Sequence, residues 1–115
     1  MAFKTVDGTV ADAYLELLAD RGVDYLFANA GTDFAPLIEG IVHSQRKNAA
    51  IPKPMVITHE NCAVAMAHGY SKIEGKPAAV LAHGTVGLQH AAMGIYNAYC
   101  DRAPVFMIIG NTIDA

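Results

Sequence analysis

The sequence of 115 residues predicts an α/β fold in which helices cover both faces of a parallel β-sheet. Segments with apolar residues three and four positions apart, the pattern of amphipathic helices, alternate with short apolar segments typical of strands. Residues 78–82 and 105–109 are apolar throughout. Strands without a polar face are typical of parallel sheets that helices cover on both sides, so the alternation and the apolar runs indicate the same architecture.

The first half of the chain predicts a helix, a strand and a second helix. For the first helix, Asp7 is the expected N-cap and Gly22 the C-terminal stop. A strand is predicted at Val23–Ala28 and a helix from about Phe34 to Arg46, after which the prolines of Pro52–Pro54 indicate a surface loop. The apolar stripe of the first helix consists of Val10, Ala13, Tyr14, Leu17 and Leu18.

The second half predicts three further strands separated by two helices. The strands are Met55–Thr58, Ala78–Ala82 and Val105–Ile109, and the helices are Asn61–Glu74 and Leu88–Tyr99. No linker or internal repeat divides the chain, so we expect residues 1–115 to belong to one domain. The predicted buried face of the helix Asn61–Glu74 comprises Ala63, Met66, Ala67, Tyr70 and Ile73.

Composition excludes several functions. The net charge is −3 and the 8 Lys and Arg residues form no cluster, which argues against binding to nucleic acids or anionic membranes. No apolar run approaches the roughly 20 residues that a membrane span needs, and no Lys- or Arg-led apolar segment indicates a signal peptide. Cys62 and Cys100 lack metal-ligand spacing and are expected to be buried free thiols. We therefore expect a cytoplasmic protein.

Candidate chemistry concentrates in the loops that follow the strands, because ligands of parallel sheets bind beyond the carboxyl ends of the strands. Glu60 lies between the second strand and its helix, although an acidic residue there also stabilises the helix dipole without any further task. His83 ends the third strand, where it is either a functional group or an ordinary hydrogen-bonded histidine. The glycines Gly84 and Gly87 either permit close approach of a ligand or only shape a turn.

Other catalytic motifs are absent from the sequence. Residues 29–33 lack the lysine and the spacing of a nucleotide-binding P-loop. Ala63 stands where a zinc-protease motif beginning at His59 would need its second histidine, and no G-x-S-x-G motif occurs. We predict no metal site formed by this chain alone.

Several short motifs follow one another along nearly the whole chain: FANAG at 27–31, THENCA at 58–63, AHGYS at 67–71, GKP at 75–77, and Gly87 followed by NAY at 97–99. Together they resemble the N-terminal pyrimidine-binding domain of thiamine-diphosphate enzymes, the family that includes acetolactate synthase, benzoylformate decarboxylase and pyruvate decarboxylase. The fold expected from this resemblance is the thiamine-diphosphate-binding fold, with a parallel sheet and helices on both faces.

The resemblance also implies roles for individual residues. Glu60 would hydrogen-bond N1′ of the cofactor's aminopyrimidine and favour the imino tautomer, which removes the thiazolium C2 proton so that the ylide attacks a 2-keto acid. Apolar surroundings would suit the Glu60 carboxylate to sharing a proton with this weak base. Gly87 would lie near the pyrimidine, and Ala30 and Gly31 would contact the cofactor from the substrate side. His83 matches a catalytic histidine of decarboxylases that act on aromatic keto acids.

Two departures from the family pattern limit what the resemblance implies. The family's G-P-G-x-x-N motif reads TVGLQH at 85–90, without the proline and the asparagine, which leaves substrate and reaction type open. No Gly-Asp-Gly motif, which in the family anchors diphosphate and Mg²⁺ in a C-terminal domain, occurs in this chain. Only four of the family domain's six strands are predicted here.

We therefore expect an N-terminal part of a longer polypeptide, or a separate subunit, of an enzyme that decarboxylates or ligates 2-keto acids. The complete enzyme would be a homodimer or homotetramer, and a charged fraction of 17% against about a quarter in typical domains agrees with a partly covered surface. The alternative is a non-catalytic α/β interaction or regulatory domain that keeps the fold and needs a partner.

Overall fold

The computed structural model describes residues 5–29 and 31–111. Over these residues the chain alternates between helices and strands in the predicted order. The helices are α1 (Val10–Asp20), α2 (Ala35–Lys47), α3 (Glu60–Glu74) and α4 (Val86–Cys100), and a short 3₁₀ turn at Thr32–Phe34 precedes α2. The strands are β1 (Tyr25–Asn29), β2 (Lys53–Val56), β3 (Ala78–Ala82) and β4 (Val105–Ile109).

The described strands form one parallel sheet in the order β2-β1-β3-β4. Every residue of the central strand β3 is buried, in agreement with its uninterrupted apolar sequence. Side chains alternate between the two faces of β1: Leu26 and Ala28 pack with α1 residues such as Leu15, whereas Phe27 packs with α3 residues such as Val64. Helices cover both faces, so the predicted fold class is confirmed.

The start of α1 differs from the prediction. The N-cap is Thr9 rather than Asp7: the backbone N–H of Asp12 donates to Thr9 Oγ1 over 3.2 Å, and the backbone N–H of Thr9 donates to Asp12 Oδ2 over 2.7 Å. This reciprocal capping box satisfies two backbone donors that would otherwise lack partners. Asp7 lies two residues too early to take part in it.

Replacing Thr9 by Ala should lower the free energy of unfolding by about 1 kcal/mol, because the N–H of Asp12 loses its acceptor. Urea unfolding followed by circular dichroism measures the difference. The matched control is Thr5→Ala, an exposed threonine ahead of the helix. Equal stability of the two variants would show that the capping box contributes nothing.

Strand β2 begins two residues earlier than predicted and includes Pro54, which the sequence had indicated as part of a loop. A proline has no N–H to donate, which excludes it from the centre of a sheet but not from an edge strand. Because β2 pairs only with β1 among the described strands, Pro54 is compatible with its place at the edge.

The buried face of α3 is also rotated relative to the prediction. Met66 and Ile73 are 43% and 84% exposed, whereas Val64, which the predicted stripe omitted, is fully buried. The buried stripe contains polar residues at both ends, Glu60 and Ser71. A prediction from the spacing of apolar residues alone therefore placed the buried face at the wrong angle around the helix.

The cysteines correct a further expectation. Cys62 and Cys100 are free, as predicted, but both are exposed rather than buried. Each lies outside the buried stripe of its helix. Among the described helices none is both long and apolar enough to cross a bilayer.

Candidate active site

The predicted functional residues meet at the carboxyl edge of the sheet. Strand β1 ends at Asn29 and β3 ends at Ala82, and these strands are adjacent and parallel. The segments that follow them, together with the first turn of α3, therefore come together at one edge. The described part of the chain places Glu60, His83, Gly87 and Gly31 there, whereas Ala30 lies outside the described residues.

Glu60 is the first residue of α3, directly after the N-cap His59. The backbone N–H of Asn61 donates to His59 Nδ1 over 3.2 Å, which satisfies one of the first-turn donors that lack a partner within the helix. The Glu60 side chain is only 7% exposed. A carboxylate in this position is stabilised by the positive end of the helix dipole.

The surroundings of the Glu60 carboxylate are polar, which corrects the expectation of apolar neighbours. Burial alone would raise the pKa of Glu60, but hydrogen bonds from its own backbone N–H, from His90 and from the Asn29 side chain hold that pKa below its ordinary value. His90 Nδ1 lies 3.3 Å from Glu60 Oε2, and the His90 side chain is 57% exposed. This long contact with a solvated ring leaves the carboxylate available to a ligand.

Gly87 is the residue that lets Glu60 lie against the end of β3. A Cβ atom at this position would stand 2.9 Å from Glu60 Oε1, 3.2 Å from the carbonyl carbon of Ala82 and 3.2 Å from His83 Cβ. The missing side chain therefore lets the carboxylate pack closely against the end of β3 and the β3–α4 loop. The structure confirms that Gly87, Glu60 and His83 are neighbours.

His83 is paired with Asp33, a residue for which the sequence predicted no role. His83 Nδ1 lies 2.7 Å from Asp33 Oδ1, and the backbone N–H of Gly84 donates to Asp33 Oδ2 over 3.0 Å. The Asp33 side chain is 2% exposed and the His83 side chain 33%. Gly31 lies beside this pair, since a Cβ there would stand 2.5 Å from His83 Nδ1.

The Asp33 carboxyl group is ionised at neutral pH. Burial would raise the pKa of Asp33, but the hydrogen bonds from His83 and from the Gly84 backbone outweigh it and lower that pKa below the ordinary value. The only sequence signal for Asp33 is an acidic residue shortly after Gly31 in a loop that already contained candidate residues.

The loop between β3 and α4 is strained. Thr85, the N-cap of α4, has φ of 54° and ψ of −76°, a region that β-branched residues rarely adopt. Such strain persists where the surrounding structure enforces it, and it is frequent at ligand-binding loops. Here the buried glycines Gly84 and Gly87 flank Thr85 and fix the loop against Asp33 and Glu60.

One group of potential metal ligands occurs among the described residues, and the expectation that this chain forms no metal site by itself stays a prediction. Ligand atoms of His59, Glu60 and His90 all lie within 4.8 Å of one another, and the two imidazole rings stack with centroids 5.2 Å apart. A cation held there would occupy the Glu60 carboxylate. The group is therefore an alternative use of Glu60 and not a separate site.

The comparison with known families agrees with this arrangement. Residues 8–114 match the family described as thiamine pyrophosphate enzyme, N-terminal TPP binding domain. The chain belongs to this family. The resemblance inferred from the sequence motifs is thereby confirmed.

Relatives within the thiamine pyrophosphate family are much longer than this chain. The acetolactate synthase large subunit of Haemophilus influenzae is 31% identical over 109 residues, which cover 90% of this chain and 17% of that protein. The 2-hydroxyacyl-CoA lyase of Saccharomyces cerevisiae is 32% identical over 104 residues, covering 90% of this chain and 18% of that protein. The chain thus spans less than a fifth of these relatives.

Solved structures show the same fold. The thiamine diphosphate-dependent 4-hydroxybenzoylformate decarboxylase of Rhodococcus jostii RHA1 superposes with a TM-score of 0.79 at 25% identity, covering 92% of this chain and 19% of that one. The four-stranded parallel sheet and its flanking helices are thus part of the family's N-terminal domain fold.

Proposed function

We propose that this chain forms the pyrimidine-binding half of an active site in a thiamine-diphosphate enzyme that decarboxylates or ligates 2-keto acids. The observation that carries the proposal is the nearly buried Glu60 carboxylate at the carboxyl edge of the sheet, packed closely against Gly87. Family membership supports the cofactor, since the matching domain is described as TPP-binding. The names of the relatives support 2-keto acid chemistry.

The residues of this edge fit an aminopyrimidine ring. Glu60 offers a carboxylate acceptor whose other partners are a long His90 contact and neighbouring N–H groups, and Gly87 places no side chain over the end of β3. Glu60 and Gly87 would hold the ring, and Ala30 and Gly31 would lie on the substrate side. When bound, thiamine diphosphate supplies a carbon nucleophile for the keto carbon and an acceptor for the electron pair released by decarboxylation.

The residues of this chain would transfer protons and orient the bound cofactor. Ionised Glu60 would share a proton at N1′ of the aminopyrimidine, a role that needs an acceptor in reach of the ring and shielded from water. His83, which adjoins Gly87 on the other side, would exchange a proton with substrate or product. Both residues are held by rigid elements, the start of α3 and the end of β3, which favours precise positioning.

Residues outside this chain would complete the enzyme. Diphosphate and Mg²⁺ would be bound elsewhere, since the chain contains no Gly-Asp-Gly motif and spans less than a fifth of its relatives. We propose residues 1–115 as the N-terminal part of the pyrimidine-binding domain, in a cytoplasmic homodimer or homotetramer. Binding of the small 2-keto acid would then involve residues of both parts.

The second candidate is a non-catalytic interaction or regulatory domain with the same fold. It is favoured by residues 85–90, which lack the proline and asparagine of the family motif. His90 stands at the asparagine position, and its Nδ1 lies 3.3 Å from Glu60 Oε2. The enzymatic proposal is preferred because the nearly buried Glu60 carboxylate lies at the carboxyl edge of the sheet, where an interaction domain needs no such group.

Calorimetric titration of thiamine diphosphate into the assembled protein separates the two proposals. We expect binding that requires Mg²⁺ and is saturable, because the diphosphate needs a cation for charge compensation. Absence of heat in both the presence and the absence of Mg²⁺, with the assembled protein folded by circular dichroism, would favour the non-catalytic domain.

A further inference from the structure

Asp33 is held from several directions at the carboxyl edge of the sheet. It lies in the 3₁₀ turn after β1, accepts hydrogen bonds from His83 and from the Gly84 backbone, and is 2% exposed. A Cβ on Gly110, the residue after β4, would collide with Asp33 Oδ2. The carboxylate therefore sits where the segments following three parallel strands converge, and a glycine on each side leaves room for it.

We propose that Asp33 is a positioning residue that holds His83 with its proton on Nδ1, so that Nε2 is the ring nitrogen that accepts or returns the proton during catalysis. The catalytic role of Nε2 rests on the proposed function. The assignment of the tautomer follows from the contacts of this chain and can be tested without cofactor.

The tautomer follows from the donor and acceptor chemistry of the pair. An ionised carboxylate only accepts hydrogen bonds, so the nitrogen 2.7 Å from Asp33 Oδ1 must carry a proton. A neutral imidazole carries a single proton, which leaves Nε2 as an acceptor. The second carboxylate oxygen is already occupied by the Gly84 backbone N–H, a donor that no change of protonation can reverse.

Asparagine at position 33 should reverse the tautomer. Its amide has one acceptor oxygen, and if this oxygen faced His83, the amide NH₂ would face the Gly84 N–H, donor against donor. The arrangement that satisfies both contacts places the oxygen toward Gly84 and the NH₂ toward His83 Nδ1. His83 must then accept on Nδ1 and carry its proton on Nε2, the wrong tautomer for a base at that nitrogen.

The first test reads the tautomer directly. In the ¹⁵N-histidine-labelled chain at alkaline pH, we expect a proton-bearing Nδ1 and a proton-free Nε2 for His83, assigned by comparison with His83→Asn. Asp33→Asn should exchange the two ¹⁵N signatures. The matched control is Asp101→Asn, which removes the carboxylate 2.9 Å from His68 Nε2 and should leave the His83 signals unchanged. An Nε2–H tautomer in the unaltered chain would overturn the proposal.

The second test measures the consequence for the reaction in the assembled enzyme. Asp33→Asn should lower kcat by about 10²-fold or more with little change in KM, since the loss of one acid–base group typically costs 10² to 10⁴. Asp33→Glu, which keeps two acceptor oxygens, should restore part of the rate. A role of Asp33 confined to holding the loops would instead change stability equally in both variants and leave kcat of the folded fraction unchanged.

The outcome for Asp33 is separable from the proposed function. If Glu60→Gln abolishes cofactor activation while Asp33→Asn turns over normally, the inference about Asp33 is wrong and the proposed function stands. If Asp33→Asn reverses the tautomer but the assembled protein binds no thiamine diphosphate, the pairing is correct and the proposed function is wrong.

Discussion

Replacing Glu60 by Gln should slow exchange of the cofactor's C2 proton by about 10² to 10⁴-fold in the assembled enzyme. Glutamine keeps the size of the side chain and can still accept the hydrogen bonds of the first turn of α3, but it is neutral and cannot share a proton with N1′. The Glu60 carboxylate is ionised and nearly buried, so the substitution removes a charge from the sheet edge itself. Rapid acid quenching in deuterated buffer followed by proton NMR measures the exchange.

The control for this substitution is Glu74→Gln, at the opposite, exposed end of the same helix. It removes the same charge from α3 without approaching the sheet edge, and we expect an unchanged exchange rate. Both variants are compared at saturating cofactor, so that weakened binding is not mistaken for slower proton transfer. Exchange in Glu60→Gln at the rate of the unaltered enzyme would refute the role assigned to this residue.

The fold was predictable because apolar runs and turn-forming residues mark most of its elements in the sequence. Strands β3 and β4 were predicted with their observed bounds, because each is an uninterrupted apolar run between turn-forming residues. Strand β2 was predicted two residues too late along the chain, because the sequence placed Pro54 in a loop. Proline is rare inside sheets but is tolerated in an edge strand, and β2 is at the edge of the described sheet. Edge position is a tertiary property, and periodicity carries no information about it.

The sequence located those site residues whose position follows from the bounds of a single strand or helix. Glu60, Gly87 and His83 lie at strand ends or helix starts, so the rule for parallel sheets located them together. Asp33 escaped prediction because its partner His83 is 50 residues away, and His90 because it lies 30 residues from Glu60. Such contacts depend on how two loops pack, and a single sequence does not record that packing.

Replacing Gly87 by Ala should disable the site and lower the free energy of unfolding by at most about 2 kcal/mol. The added Cβ would stand 2.9 Å from Glu60 Oε1 and 3.2 Å from the Ala82 carbonyl carbon. The carboxylate is the end of a flexible side chain and can move, whereas the β3 backbone cannot, so Glu60 is the group displaced. Overpacking costs about 1 to 3 kcal/mol, and the higher helix propensity of alanine offsets up to about 1 kcal/mol of it.

We therefore expect Gly87→Ala to remain folded and to unfold cooperatively, yet to lose at least about tenfold in C2 proton exchange, because a 1 Å displacement of a positioned group is costly. The matched control is Gly69→Ala, in the middle of α3 with no atom within 4 Å of the added Cβ. That variant should gain about 0.5 to 1 kcal/mol in unfolding free energy and keep its exchange rate, because alanine only replaces a poor helix former. Equal exchange rates in the two variants would mean that the function of Glu60 does not depend on its close packing against Gly87.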